Sequence, residues 1–428
     1  MAKFVGIKHD RICVVSDNLF NNDGLDIVEI PSELSHISPA ELIANCCIRN
    51  GKIKYKNLQK PAKELKVALV GNWKMRCGIA TYSEHLWPEI AKHIGEVKLF
   101  IEHNDISTGN IYQLGDQILS ENQVSVCWKR GEPLQDLVKG LQDYDPDVIL
   151  IQHEFGLWSN ARHWLAMMTE LSDYRIIVVM HSVFPEHQDK IIFEAAMPEI
   201  IVHLEGAKNN LENVKKINAK VHVIPHGCYQ AGDQKKLWNN YKSQHTFMQQ
   251  GFGFGYKNFA SSIRATALLK EKYPDVFFTA LFSESPHAKM DHQMYYNDLL
   301  RLVRELGIQE NVAIVRGFQP DHVVDAYLRS NQVAVFPYLS VPGHEVFGAS
   351  GAARLAMTAG VPIISSSLPH FSDLPTIKAD TPERIAEELD KLFCNENLYK
   401  QQIVQQNQFI ADNSWTNIAK QYVAVLEK

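Results

Sequence analysis

Residues 345–364 read Glu-Val-Phe-Gly-Ala-Ser-Gly-Ala-Ala-Arg-Leu-Ala-Met-Thr-Ala-Gly-Val-Pro-Ile-Ile. A Gly/Ser loop runs directly into a helix predicted to start near Ser350 and to stop at Gly360, and an apolar strand follows at once. The first N–H groups of a helix have no partner within it, and the helix dipole places positive charge at that end. A loop opening such a helix therefore suits a diphosphate.

Outward from this segment, the chain alternates strands and helices in the manner of parallel sheets covered on both faces. Strands are expected at Lys66–Val70, Val97–Ile101, Val148–Gln152, Arg175–Met180, Ile200–His203 and Val221–Ile224, which make one Rossmann-like domain. The polar stretch Tyr229–Met248 is read as the crossing to a second such domain, with strands at Val276–Leu281, Val312–Arg316, Val333–Pro337 and Pro362–Ser365. Ligands of open α/β sheets bind at the carboxyl ends of strands, so two facing sheets are expected to leave a cleft between them.

The first residues differ in character. Short β segments at Phe4–Ile7, Arg11–Val15 and Leu25–Ile30, a brief helix near Ser38, and a hairpin Ile48–Tyr55 turning at Asn50-Gly51 suggest a small appended module. Between Lys52 and Lys66, six lysines stand against the single Glu64, a basic linker or a guide for an anionic surface.

The composition is that of a globular chain. With 428 residues and 45% hydrophobic content, two domains or slightly more are expected. The net charge of −6 does not mark a general nucleic-acid binder. Seven scattered cysteines without Cys-x-x-Cys spacing point to a reducing compartment. No stretch reaches the ~18 uncharged residues of a membrane span and no signal peptide is evident, so a cytoplasmic protein is expected.

Candidate functional residues fall at predicted strand ends. Gly78 follows the first strand in Gly71-Asn-Trp-Lys-Met-Arg-Cys-Gly78-Ile79-Ala-Thr-Tyr82 and opens a helix. His153, His181 and His226 close three further strands, and imidazole can donate to a sugar hydroxyl or a phosphate near neutral pH. A metal site is not expected, because His222 and His226 lie on a predicted strand where four residues span roughly 13 Å. In Gly251-Phe-Gly253-Phe-Gly255-Tyr-Lys257, glycines permit tight folding and Lys257 supplies a cation suited to charge growing on a leaving phosphate.

Five ordered motifs together resemble the nucleotide-sugar-dependent glycosyltransferases of the GT-B fold, most closely retaining family 4. Glu345-Val-Phe347-Gly348 with Gly360-Val-Pro resembles that family's donor loop; Gly78-Ile79-Ala-Thr-Tyr82 resembles its Gly-Gly-Ile-Ala-x-Tyr; Gln152-His153-Glu154-Phe-Gly and His181-Ser-Val resemble two more. Arg316-Gly-Phe318 resembles the segment that borders the nucleotide base. The resemblance covers Leu65 to Lys428 and implies an α/β fold of two Rossmann-like domains facing each other, besides the β-rich N-terminal module. It implies domains at 65–235 (acceptor side) and 236–410 (donor side), a returning helix at 411–428, and residues 1–64 as module and linker.

The implied activity is transfer of a sugar from a UDP- or GDP-sugar to a glycan or other hydroxyl acceptor, with retention and without a metal or other cofactor. His181, Lys257 and Glu345 would act in catalysis. Gly78, Ile79, Gly253, Gly255, Arg316, Phe318, Phe347, Gly348, Ser350 and Gly351 would bind the donor, and Tyr82, His153 and Glu154 would lie on the acceptor side. The family usually carries a second glutamate eight positions after the first, for the ribose. Here that position is Ala353, or Leu355 when aligned from Gly360, with a loop two residues longer. Related enzymes also place an arginine near Lys257; Arg316 or Arg354 is the expected substitute. Residues 1–64 resemble extensions of transferases from large tailed-phage genomes, which would place the protein in a host cytoplasm and make modified DNA bases a second class of acceptor, guided by Lys52–Lys66. An epimerase or hydrolase on the same frame, or a non-catalytic sugar-nucleotide binder, would bind the same class of ligand.

Overall fold

The structure, a computed structural model, describes residues 2–8, 11–16, 60–103, 108–187, 190–229, 245–284, 289–340 and 345–428. The expected strand at 25–30, the helix near residue 38, the hairpin at 48–55, and Lys52, Lys54 and Lys56 lie outside these residues. Strands β1 (Ala2–Lys8) and β2 (Arg11–Ser16) pair antiparallel, matching the first two β segments of the sequence. The chain divides into two compact units, Met1–Ile224 with Ala419–Lys428, and Pro225–Ile418.

The first unit is built on β3 (Lys66–Gly71), β4 (Glu96–Glu102), a small antiparallel pair β5 (Gln113–Leu114) and β6 (Gln117–Ile118), then β7 (Val124–Trp128), β8 (Val148–His153), β9 (Arg175–Met180), β10 (Glu199–Val202) and β11 (Lys220–Val223). Seven of these form one parallel sheet in the order β11-β10-β9-β8-β3-β4-β7. The order reverses between β3 and β8, the doubly wound pattern whose crevice receives ligands. All six residues of β8 are buried, as expected of a central strand covered by helices on both faces. Within this unit, Tyr82 on helix Gly78–Ala91 and Tyr422 on helix Trp415–Leu426 share a hydroxyl hydrogen bond of 2.7 Å, and Arg175 donates to the carbonyls of Val425 and Leu426.

The second unit repeats the plan with β12 (Thr246–Phe252), β13 (Phe277–Ser283), β14 (Val312–Arg316), β15 (Val333–Phe336), β16 (Ile363–Ser365) and β17 (Ile377–Lys378). The parallel order is β14-β13-β12-β15-β16-β17, reversing between β12 and β15. Alternation along each strand feeds two cores. Phe247, Val333 and Val335 join Phe259, Phe278 and Leu389 on one face, while Met248, Ala334 and Phe336 join Leu281, Tyr338 and Phe371 on the other.

Besides the short pair β5 and β6, three strands of the parallel sheets have no counterpart among the expected strands. β12 lies within and just beyond the stretch taken for a polar crossing, because Gln249 and Gln250 break its apolar run. Both amides are satisfied by tertiary partners that local pattern cannot reveal: Gln249 donates to the Lys257 carbonyl (2.6 Å) and accepts from Ser262 (2.7 Å), and Gln250 donates to the Ala352 carbonyl (3.0 Å). Edge strands β7 and β17 are short and only partly buried, so they lack a continuous apolar signal. In the basic linker, Lys60 pairs with Asp147 (2.8 Å), Lys63 donates to the Lys92 carbonyl (2.6 Å), and Lys66 donates to the Tyr144 carbonyl (2.5 Å), so these three ammonium groups bind their own unit. No helix among the described residues is long and apolar enough to cross a membrane.

In the first unit, Lys215 Nζ meets both carboxylate oxygens of Glu194 at 2.6 and 2.7 Å, with 1% and 0% of the two side chains exposed. Removing one partner leaves the other charge buried, which costs about 3–5 kcal/mol. Glu194→Ala is expected to lower unfolding stability in urea by that amount, and the paired change Glu194→Met with Lys215→Met to recover most of it.

Candidate functional site

In the second unit the site is assembled where β12 and β15 part. The chain leaves β12 through Gly253–Asn258. Gly253 has to be glycine for packing, since a Cβ there would lie 2.0 Å from the Phe282 ring, whereas Gly255 faces open space. Asn258 adopts the left-handed conformation (φ 56°), caps helix Phe259–Leu269 by accepting from Ser261 N, and donates to the Pro337 carbonyl at 2.9 Å. Leu339 N in turn donates to the Tyr256 carbonyl at 2.8 Å. These two bonds stitch the loop after β12 to the loop after β15.

That stitching holds Lys257 between two aromatic rings. Its Nζ lies 3.8 Å from the Tyr338 ring centroid and 4.9 Å from that of Tyr256. Cation–π contact orients an ammonium without neutralising it. No carboxylate pairs with Lys257 among the described residues, and burial lowers its pKa. A partly desolvated cation without a counter-ion favours an anionic ligand.

The helix quoted from the sequence spans Gly351–Thr358 and ends at Gly360 in the left-handed region (φ 73°), as the position of that glycine predicts. Ser350 caps it: its Oγ accepts from Ala353 N (3.3 Å). The amides of Gly351 and Ala352 have no partner the helix itself can offer. Beneath them Arg354 is wholly buried, donating to the carbonyls of His226 and Ser350 (both 3.1 Å) and pairing with Asp373. Arg316 is likewise committed, to Glu284 (2.6 and 2.8 Å) and Gln293 (2.7 Å), with its guanidinium carbon 4.7 Å from the Tyr296 ring centroid. Neither arginine stands as a free cation beside Lys257.

Among the remaining candidates of this unit, Glu345 is exposed, Phe347 half-buried and Gly348 buried in the loop before the helix, while Phe318 is exposed beyond β14. Two residues were not singled out in the sequence. Tyr256 has no polar pattern around it, and His370 lies on a turn after β16 whose chemistry depends wholly on tertiary neighbours.

In the first unit the candidates gather at the ends of β3, β8 and β9. A Cβ on Gly71 would come within 2.9 Å of Gln152 Cβ, so glycine lets the two strand ends close on each other. His181 Nε2 donates to Gln152 Oε1 (2.8 Å), and its ring meets the edge of Tyr82 at 4.7 Å and lies 5.2 Å from His203. Burial first, then His203 and His153, push its pKa well down, so it is neutral at physiological pH. Glu154 accepts from Ser182 (2.6 Å) and Phe155 N (3.0 Å); burial raises its pKa. His153 is fully buried among Phe155, Trp164 and Phe193, without a hydrogen-bond partner for either ring nitrogen, and burial lowers its pKa to about 3. Tyr82 is buried by its contacts with Tyr422 and His181, while Gly78 is exposed at the helix start and Ile79 packs inward. A side chain at Gly78 would meet nothing within 4 Å, so that glycine is not dictated by packing.

No family model and no curated protein matches the chain. Solved structures do. Anabaena Alr3699/HepE in complex with UDP is 13% identical, with a TM-score of 0.64 over 85% of this chain and 99% of that one. A glycosyltransferase from Rickettsia africae ESF-5 (12%, TM-score 0.62, 85% and 98%) and sucrose-phosphate synthase from Thermosynechococcus elongatus (14%, TM-score 0.64, 85% and 98%) are also similar. The likeness establishes the GT-B type of fold, two Rossmann-like domains in one chain.

Asp373 neutralises the buried Arg354 under the helix start. Asp373→Ala is expected to destabilise the second unit by about 3–5 kcal/mol, against about 1 kcal/mol for removal of the cap in Ser350→Ala, both read by chemical denaturation.

Proposed function

We propose that this protein is a glycosyltransferase that moves a sugar from a nucleotide-diphosphate sugar to an acceptor hydroxyl. The observation that carries this reading is Lys257, an ammonium without a carboxylate partner among the described residues, at the same switch point as the open amide end of helix Gly351–Thr358. A diphosphate is the ligand that this pairing of fixed dipoles and one cation suits best. The fold supports it, because the similar HepE structure is a complex with UDP.

In the reaction the bond between the anomeric carbon and the donor's β-phosphate oxygen breaks, the acceptor oxygen bonds to that carbon, and the acceptor proton leaves with the nucleoside diphosphate. Lys257 and the amides of Gly351 and Ala352 stabilise negative charge as it grows on the departing phosphate. Ser350, Gly253, Gly255 and Gly348 shape the phosphate loops, and Arg316, Phe318 and Phe347 border the nucleoside. Glu345 binds hydroxyls of the donor sugar, and so does His181, whose proton is fixed on Nε2 by Gln152. By the sequence resemblance Gly78 and Ile79 are assigned to donor binding, and Tyr82, His153 and Glu154 to the acceptor. Retention of configuration and independence of metal ions follow the sequence resemblance. A glycan or other hydroxyl compound is the acceptor, and UDP- and GDP-sugars are the donors to test first. DNA as acceptor gains no support from Lys60, Lys63 and Lys66, which are bound within their own unit.

A thermal-shift screen of UDP- and GDP-sugars is expected to raise the melting temperature with at least one of them. With that donor, Lys257→Ala should lower kcat about 10²–10³-fold without lowering the melting temperature of the empty protein. Glu345→Gln should lower kcat/KM roughly tenfold through loss of a charged hydrogen bond, and EDTA should leave the parent rate intact. Undiminished transfer by both variants would refute the site. Donor binding without any turnover would make the protein a sugar-nucleotide binder instead.

A further inference from the structure

We propose that His370 binds the donor diphosphate alongside Lys257 and takes up a proton as it does so, supplying the second cation that the loop around Lys257 lacks. The inference rests on the donor reading above.

Three features of the geometry carry it. The His370 ring packs against the same two tyrosines that cradle Lys257, stacked on Tyr256 (6.4 Å, 23°) and edge-on to Tyr338 (5.4 Å, 77°). Its backbone carbonyl accepts from Ser350 N (3.3 Å), tying the imidazole to the residue that caps helix Gly351–Thr358. Its Nδ1 is buried and has no hydrogen-bond partner, so one ring nitrogen is left for a ligand or a proton. The turn that bears it is held firmly, with Phe371 buried against Tyr338 (4.8 Å) and its carbonyl accepting from Lys378 Nζ (2.8 Å).

The charges around His370 set its protonation. Lys257 faces it from the loop after β12, and Lys378 reaches from β17 to the carbonyl of the next residue, Phe371. The carboxylate of its own turn, Asp373, is taken by Arg354. Tyr256, Tyr338 and Ser350 complete the surroundings without a negative charge. Burial, then the Lys257 ammonium, lowers the imidazole pKa to about 3, so the ring is neutral in the empty protein. A bound diphosphate brings negative charge to this cluster and favours the imidazolium. A group whose pKa is raised by ligand strengthens binding as pH falls through the bound-state value, which gives the sign of the effect.

The test is calorimetric titration of the full chain with UDP-glucose and with GDP-mannose at pH 8 and pH 6. These substituted diphosphates carry no phosphate proton that titrates in this interval. Parent protein is expected to bind about tenfold more tightly at pH 6 for a bound-state pKa of ~7, with a heat at pH 6 that varies with buffer ionisation enthalpy as uptake of close to one proton requires. His370→Gln should retain binding at pH 8 and lose most of the pH dependence, while Lys257→Met should weaken binding at both pH values and keep it. A flat parent affinity with buffer-independent heat, or an unchanged slope in His370→Gln, overturns the inference and leaves the donor reading standing. Failure of both compounds to bind at either pH sinks the two together. Should the Gln variant melt below assay temperature, the buffer dependence of the parent heat and His370→Asn decide.

Discussion

The second unit is organised around an ammonium that has been given two tyrosines for neighbours and no carboxylate among the described residues. Pairing Lys257 with an acid would have been the simplest way to stabilise the empty fold. The chain instead spends Asp373 on Arg354 and Glu284 on Arg316, and leaves the lysine at the switch point with Tyr256 and Tyr338. A charge kept partly out of water without a counter-ion costs stability unless a ligand supplies the opposite sign. The rest of the local structure makes that arrangement durable. Gln249 fixes the Lys257 carbonyl, Asn258 and Leu339 join the two loops, and Ser350 orders the helix that opens beside them.

The first unit treats its polar residues differently. Gln152, His181, His203 and Tyr82 are interlocked by hydrogen bonds and ring contacts, and His181 is neutral in its buried setting. Neutral imidazole with a fixed tautomer can recognise a hydroxyl and cannot compensate a phosphate. The division of labour therefore follows from electrostatics: hydroxyl recognition suits the first unit's strand ends, and anion recognition suits the second's.

Much of this was visible in the residues themselves. The helix at Gly351–Thr358, its serine cap and its terminating Gly360 could be read locally, because capping and left-handed glycine act within one turn of chain. Buried parallel strands such as β8 and β9 announce themselves as short apolar runs. β12 did not, since Gln249 and Gln250 look like surface residues until their partners at Ser262, Lys257 and Ala352 are known. The surroundings of His370 were invisible for the same reason, as its neighbours Tyr256, Lys257 and Tyr338 are far away in sequence. The fates of Arg316 and Arg354 could not be told apart either, because each is decided by one carboxylate brought in by the fold.

Those two glutamines have a further effect on assembly of the sheet. A wholly apolar β12 could slide by two residues between β13 and β15 and still present the same faces to the same cores. With amides that fit only one alignment, such a slip would orphan several buried donors and acceptors at about 1–3 kcal/mol each. The polar pair thus acts as a ratchet tooth, ensuring that the unit closes in a single register and that the loop beyond it emerges at the right height.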